Sequence, residues 1–134
     1  MPPRGIHHIG LAVEDLDDAV ATYERLFDAH LESRETMPSQ GAEAAALLVG
    51  TSRIELLAPT GDDTPIGRFL ARRGPGMHHV AYEVDDIADE LQRLDADGVE
   101  LVDREPRAGL YGLEVAFLHP SAAHGVLSEL VCSG

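Results

Sequence analysis

The chain repeats itself once, and that repeat constrains it more than any other feature. Residues 6–18 read IHHIGLAVEDLDD and residues 77–89 read MHHVAYEVDDIAD. Both frames give an apolar residue, His-His, a β-branched residue, a small residue, two variable positions, Val, an acid, Asp and an aliphatic residue. They lie 71 positions apart in a chain of 134 residues, so the repeat unit is about half the chain. Self-similarity at that spacing means two copies of one supersecondary module. A second echo closes each half. RIELLA at 53–58 and LSELVC at 127–132 each set a glutamate, Glu55 or Glu129, inside an apolar run. His8 precedes Glu55 by 47 positions and His79 precedes Glu129 by 50.

Each half reads the same way locally. Ile6–Val13 is β-branched and apolar, a strand. Asp15 caps a helix over Leu16–Phe27, with Leu16, Val20, Tyr23 and Phe27 on one face. Strands follow at His30–Glu35, Ala42–Val49 and Arg53–Ala58, the alanine-rich middle one assigned by its length and by Gly50-Thr51 after it. In the second half the spacing predicts a strand over Met77–Val84 and a helix over Ile87–Asp97, stopped by Gly98 at a C′ position. Further strands are expected at Glu100–Asp103, Leu113–Leu118 and Val126–Val131. The order is βαβββ twice. Module one covers about 5–60 and module two 76–133, with 61–75 as a linker carrying a short helix near Ile66–Arg72. The expected class is α+β: two paired βαβββ modules forming a curved, barrel-like mixed sheet with the helices outside.

Side chains on a strand alternate between faces. His8, Gly10 and Ala12 therefore share one face of the first strand, and His7, Ile9, Leu11 and Val13 share the other. In the second half His79, Ala81 and Glu83 oppose His78, Val80, Tyr82 and Val84. The apolar faces pack on the helices, so His7 and His78 are structural. His8 and His79 point to the open side, where their neighbours are small. A carboxylate in an apolar strand costs several kcal/mol unless it is paired, protonated or bound to a cation, at roughly the scale of a buried ion. If two modules pair about a pseudo-twofold axis, His8, Glu55, His79 and Glu129 converge. Two imidazoles and two carboxylates suit a divalent ion: Co2+, Mn2+, Fe2+, Ni2+, Zn2+ or Mg2+. Four protein ligands on an octahedral ion leave two positions, enough for a substrate that chelates through two oxygens.

Charge and composition exclude other classes. Asp and Glu number 24 against 10 Lys plus Arg, a net of −14, which repels phosphate backbones and anionic membranes. Nucleic-acid and membrane partners are not expected. All ten basic residues are arginine, so Schiff-base and P-loop lysine chemistry is excluded. Cys132 is the only cysteine and has no internal disulfide partner. No apolar run approaches the roughly 20 residues of a membrane span, and MPPRGIHHIG has no signal-peptide core, so a cytoplasmic address is the expectation.

The duplicated His strands, the βαβββ repeat and the two strand glutamates resemble the vicinal oxygen chelate superfamily. Three segments are similar to its methylmalonyl-CoA epimerase branch: HHIGLAVEDLDDAVATYERLF, RIELLAPTGDDTPIGRFLARRGPGMHHVAYEVDDI and FLHPSAAHGVLSELV. The resemblance implies a single domain over 1–134 and an isomerase that interconverts (2R)- and (2S)-methylmalonyl-CoA. It further implies a divalent metal, cobalt first, and a homodimer taking an acyl-CoA substrate. By the resemblance His8, His79 and Glu129 match metal ligands, Glu55 falls where the remaining ligand lies, and Glu129 doubles as a catalytic base. A metal-polarised thioester then loses its α-proton from one face and regains one on the other.

Two positions depart from that branch. Some members carry a proton-transferring Glu shortly after a Gln-Gly pair; here Gln40-Gly41-Ala42-Glu43-Ala44 puts Ala44 at that place and Glu43 one residue off, which turns its side chain to the opposite face unless a bulge intervenes. Ser121 stands where lysine commonly follows His119-Pro120, so CoA phosphates would have to meet Arg68, Arg72, Arg73, Arg104 or Arg107. A glyoxalase I type isomerase shares the ligand quartet, but the His119-Pro120…Gly125-Val126-Leu127 ending favours the epimerase branch. A metal-free bleomycin-resistance-like binding module is the rival from another class, and an extradiol dioxygenase ranks last.

Overall fold

In the first half, alternating apolar residues and three capped or glycine-punctuated turns produce β1 (Gly5–Ala12), α1 (Leu16–Phe27), β2 (His30–Met37), β3 (Ala42–Val49), β4 (Ser52–Pro59) and α2 (Pro65–Arg73). The second half gives β5 (Gly76–Glu83), α3 (Ile87–Ala96), β6 (Arg107–Ala108), β7 (Glu114–Leu118) and β8 (Ser128–Cys132). The computed structural model describes residues 2–38 and 41–132. They fall into two compact units, one spanning His8–His78 and the other combining the described parts of 1–7 and 79–134. The expected α+β class, with βαβββ twice, is what the chain adopts.

The first unit is a sheet in the order β2-β3-β4-β1, antiparallel except for the parallel pairing of β1 with β4. One face carries α1. Asp15 caps that helix by accepting from the Asp18 N–H at 3.0 Å, and Asp28 ends it in the left-handed region at φ 53°. Leu16 and Val20 of α1 pack with Ala45, Leu47, Leu56 and Ala58 of the sheet, and Tyr23, Leu11 and Ile54 border them. Burying each such aliphatic side chain contributes about 1.5–3 kcal/mol.

The stretch 61–75 holds α2, begun by Thr64, whose hydroxyl accepts from the Gly67 N–H at 3.0 Å, with Pro65 in the first turn. Gly67 is required for space rather than for conformation. A Cβ there would lie 2.5 Å from the Asp62 carbonyl oxygen and 2.6 Å from that of Gly61. Both neighbours are backbone and cannot rotate away, so Gly67→Ala is expected to cost about 1–3 kcal/mol by overpacking. Urea denaturation checks this as a lowered midpoint with unchanged slope.

The second unit repeats the plan with the order β5-β8-β7-β6 and a parallel β5–β8 pair. Asp86 caps α3 through the Asp89 N–H, and Gly98 follows the helix at φ 79°, the C′ role its sequence position predicts. Val84, Ile87, Leu91, Ala116 and Leu130 form the core under α3.

One expected strand is misplaced. Glu100–Asp103 forms no ladder: Leu101 makes an isolated bridge to Leu118, and the N–H groups of Val102 and Asp103 both reach the Phe117 carbonyl. The Asp103 carboxylate meanwhile accepts from the Phe117 N–H at 2.9 Å, so a side chain takes the place of a backbone partner. The strand next to β7 is β6 instead, a two-residue pairing of Arg107 with Val115 and Ala108 with Glu114.

Candidate metal centre

Strand register assembles the site in each unit by the same arithmetic. In the first, Gly10 of β1 pairs with Glu55 of β4 across the parallel ladder. Paired residues share a face, and His8 lies two positions before Gly10, so its ring and the Glu55 carboxylate rise from the same side of neighbouring strands. In the second, Ala81 of β5 pairs with Glu129 of β8, and His79 lies two positions before Ala81. The long side chains close the remaining gap. His8 Nε2 stands 3.7 Å from Glu55 Oε2, and His79 Nε2 stands 3.3 Å from Glu129 Oε1.

All four are buried, His8 and His79 at 3% exposure, Glu55 at 7% and Glu129 at 6%. Charged groups are almost never that deep without a partner or a metal. Around His8 the β1 and β3 positions are small, Gly10, Ala12, Ala44 and Ala46, with Leu57 on the same face two residues past Glu55; on the face of His79 lie Ala81 and Phe117, the latter paired with Glu129. The glycine and alanines leave room above the strands. The donors are imidazole nitrogen and carboxylate oxygen, the set preferred by borderline divalent ions, so the residues present fit such a metal. Phe117 stacks edge-on against His79, with centroids 5.9 Å apart at 84°, and holds the ring's orientation.

His7 and His78 belong to the opposite faces, as alternation predicts. His78 packs edge-on against Phe69 of α2 with centroids 4.8 Å apart.

Glu43 is turned away from the site. It pairs with Ala58, which lies in the core under α1, whereas Ala44 pairs with Leu57 and shares the face of Glu55. The irregularity in this ladder lies between Leu31 and Ser33 of β2, so no bulge in β3 brings Glu43 back. Gln40, its upstream landmark, lies outside the described residues. Glu43 Oε1 instead takes Arg34 Nη2 at 2.5 Å and Nε at 3.0 Å, and Arg34 also reaches Asp17 on α1. These hydrogen bonds, Glu43 first and then Asp17, hold the Arg34 pKa above its ordinary value. Glu43→Gln is therefore expected to leave catalytic turnover at the wild-type level, measured as kcat on the substrate proposed below.

The five candidate arginines also separate. Arg68 pairs with Asp63 at 3.0 Å and Arg104 with Asp95 at 3.2 Å, while Arg73 lies 5.8 Å over Phe69. Arg72 is exposed in the last turn of α2. Arg107 alone of the five lies on the face of Glu129: it pairs with Val115, which pairs with Val131, two residues past Glu129. Its guanidinium sits 5.4 Å over the Phe117 ring and 3.3 Å from Asp103. Sequence alone could not make that choice because the two-residue strand β6 carries no periodicity. Ser121, at the departure from the usual lysine, donates to Glu100 Oε1 at 3.1 Å and lies 2.9 Å from His119 Nδ1. An acidic neighbour makes that corner unsuited to a phosphate.

Comparison with known proteins agrees with this architecture. Residues 7–117 match the model of the Glyoxalase/Bleomycin resistance protein/Dioxygenase superfamily. The chain is 35% identical to the ethylmalonyl-CoA/methylmalonyl-CoA epimerase of Cereibacter sphaeroides, over 93% of this chain and 95% of the relative. The crystal structure of methylmalonyl-CoA epimerase from Mycobacterium tuberculosis matches with TM-score 0.94 and 36% identity, covering 98% of this chain and 89% of that one. A methylmalonyl-CoA epimerase in complex with methylmalonyl-CoA and NH4+ matches with TM-score 0.94 and 36% identity, over 99% of this chain and 96% of that one. The same two-module plan, matched over nearly the whole length at this identity, places the chain in the glyoxalase/bleomycin resistance/dioxygenase superfamily, among its methylmalonyl-CoA epimerases.

Proposed function

We propose that this chain is a metal-dependent isomerase that interconverts (2R)- and (2S)-methylmalonyl-CoA, with His8, Glu55, His79 and Glu129 as the ligands of one divalent ion. The observation that carries the reading is the duplicated His/Glu pair, built at the same register on β1/β4 and β5/β8 and buried in both units. A bound ion supplies Lewis acidity to a substrate that chelates through its thioester and carboxylate oxygens.

The chain's own residues do the rest. Glu55 and Glu129 bring two negative charges to the ligand set, and burial keeps bulk water from competing for the reacting carbon. Glu129 is the proton acceptor at C2 for one epimer. Glycine and alanine at positions 10, 12, 44, 46 and 81 leave space for the methyl-bearing carbon. Arg107, anchored over Phe117, meets the anionic part of the acyl-CoA, with Arg rather than Lys serving because the chain has no lysine. Cobalt as the resident ion, a homodimeric state and a cytoplasmic address belong to the same reading. Among the described residues no helix is long and apolar enough to cross a membrane.

Solvent deuterium incorporation at C2 of methylmalonyl-CoA, followed by mass spectrometry with the cobalt-loaded protein, tests the reading. Uptake with interconversion of the epimers is the expected result. No uptake by protein shown to carry stoichiometric cobalt would sink it, and the glutathione–methylglyoxal hemithioacetal would then be the substrate to try.

A further inference from the structure

An arginine captures an anion best when its fork is already aimed, because a long, mobile side chain loses its freedom on contact. Arg107 stands on the two-residue strand β6, where two ladder pairs fix its backbone but not its guanidinium. We propose that Asp103 is the positioning residue for Arg107, holding its fork on the Glu129 face for the anionic group of an acyl-CoA. This assignment rests on the epimerase reading above.

Every contact in the argument lies within the second unit. Asp103 Oδ2 accepts from the Phe117 N–H at 2.9 Å, and the Asp103 N–H donates to the Phe117 carbonyl at 3.1 Å. The carboxylate is therefore tied to the backbone of β7 before it meets the arginine. The same oxygen stands 3.3 Å from Arg107 Nε. Its side chain is 18% exposed against 45% for Arg107, so the acid is the anchor and the arginine the head that reaches solvent. The guanidinium also lies 5.4 Å over the Phe117 ring, whose edge meets His79. A charge beside Nε and a ring face beneath restrain the head from two directions.

The contact through Nε leaves the two terminal nitrogens of the fork, which match a carboxylate or phosphate bidentately. Among the described residues Asp103 is the only ion-pair partner of Arg107. The pairs Arg68–Asp63 and Arg104–Asp95 lack such an anchor, because their acids are themselves exposed, and solvated pairs of that kind hold little in place. The irregular stretch before β6, where the Asp103 side chain takes the place of a backbone partner, thus gains a function. An acyl-CoA of this class carries both a carboxylate and phosphates, and the test separates them.

Asp103→Asn keeps an oxygen for the Phe117 N–H and removes the charge beside Nε. Side-chain 15N relaxation is the readout that needs no turnover: Arg107 Nε is expected to be rigid in the wild type, and in Asp103→Asn as mobile as Nε of Arg72, which is exposed at the end of α2. KM for methylmalonyl-CoA is expected to rise by about 2–12-fold, the cost of immobilising one long side chain on binding, with kcat and bound cobalt at wild-type values. Because Asp103 acts through Arg107, adding Asp103→Asn to Arg107→Met is expected to change KM no further. A matching rise in the inhibition constant of propionyl-CoA, which lacks the free carboxylate, names the phosphates as the anion; a rise confined to methylmalonyl-CoA names the carboxylate. Either supports the proposal. An Arg107 Nε that is mobile in the wild type, or unchanged in Asp103→Asn, overturns it, as do a wild-type KM and an additive double variant. A wild-type protein that does not epimerise would instead defeat the epimerase reading, and the relaxation result would still decide whether Asp103 fixes Arg107.

Discussion

Glu129→Ala is expected to abolish epimerisation of methylmalonyl-CoA, lowering kcat/KM by about 10³-fold or more, a sum of lost metal binding and lost proton transfer. The side chain sits in β8 beside His79, 3.3 Å from its Nε2, at 6% exposure. No neighbouring carboxylate on that strand can replace it: the flanking positions are Ser128 and Leu130, and Leu130 belongs to the core under α3. Stability is expected to move the other way. A buried carboxylate carries a desolvation cost that only a cation or a good partner offsets, so the metal-free variant unfolds at or above the temperature of the metal-free wild type. Metal reverses the order. An ion that binds only the native state at 100 times its Kd adds about 2.7 kcal/mol, and the variant forfeits most of that. Thermal melts of both proteins, with EDTA and with excess Co2+, separate the two effects. A variant that keeps the full cobalt-induced rise would exclude Glu129 as a ligand.

Leu56→Ala is expected to cost about 3–5 kcal/mol, the upper part of the range for a buried leucine. Leu56 is completely buried in β4, directly between Glu55 and Leu57, and packs toward α1 with Leu16, Val20, Ala45 and Leu47. Many of its neighbours are already alanine, so little side-chain volume is available to relax into the cavity. The sheet beneath is fixed by ladders on both sides of β4. At roughly 2–8 °C per kcal/mol for domains in this size range, Tm is expected to fall by about 10–20 °C. Leu56→Met, which nearly conserves volume, is expected to cost under about 1.5 kcal/mol. Calorimetry of the two variants checks the difference. Equal, small shifts would mean that this side of β4 is not the core of the first unit.

Much of the site was legible before any coordinates because it rests on two local rules. A duplicated frame exposes itself by comparison of a sequence with itself, and strand alternation then separates His8 from His7 and His79 from His78. The cap expected at Asp15 follows the same logic, accepting from a backbone N–H three residues on; the structure adds Thr64 and Asp86 in the same role for the other two α-helices. What failed was the strand at Glu100–Asp103. There the Asp103 side chain competes with the backbone for the Phe117 N–H, and a two-residue strand at Arg107–Ala108 has too little length to show a period.

The sequence by itself determined the two-module plan, the βαβββ order and the four ligand candidates, because repeats, caps and alternation depend on residues close together in the chain. Only the tertiary structure decided which face Glu43 takes. That face is set by the pairing of β3 with β4, in which Glu43 stands opposite Ala58 while Ala44 shares the face of Glu55. The same holds for Arg107, which an edge pairing with Val115 puts on the face of Glu129. Cross-strand register is a property of two distant segments at once, and a shift of one residue reverses every side chain; no pattern within either segment records it.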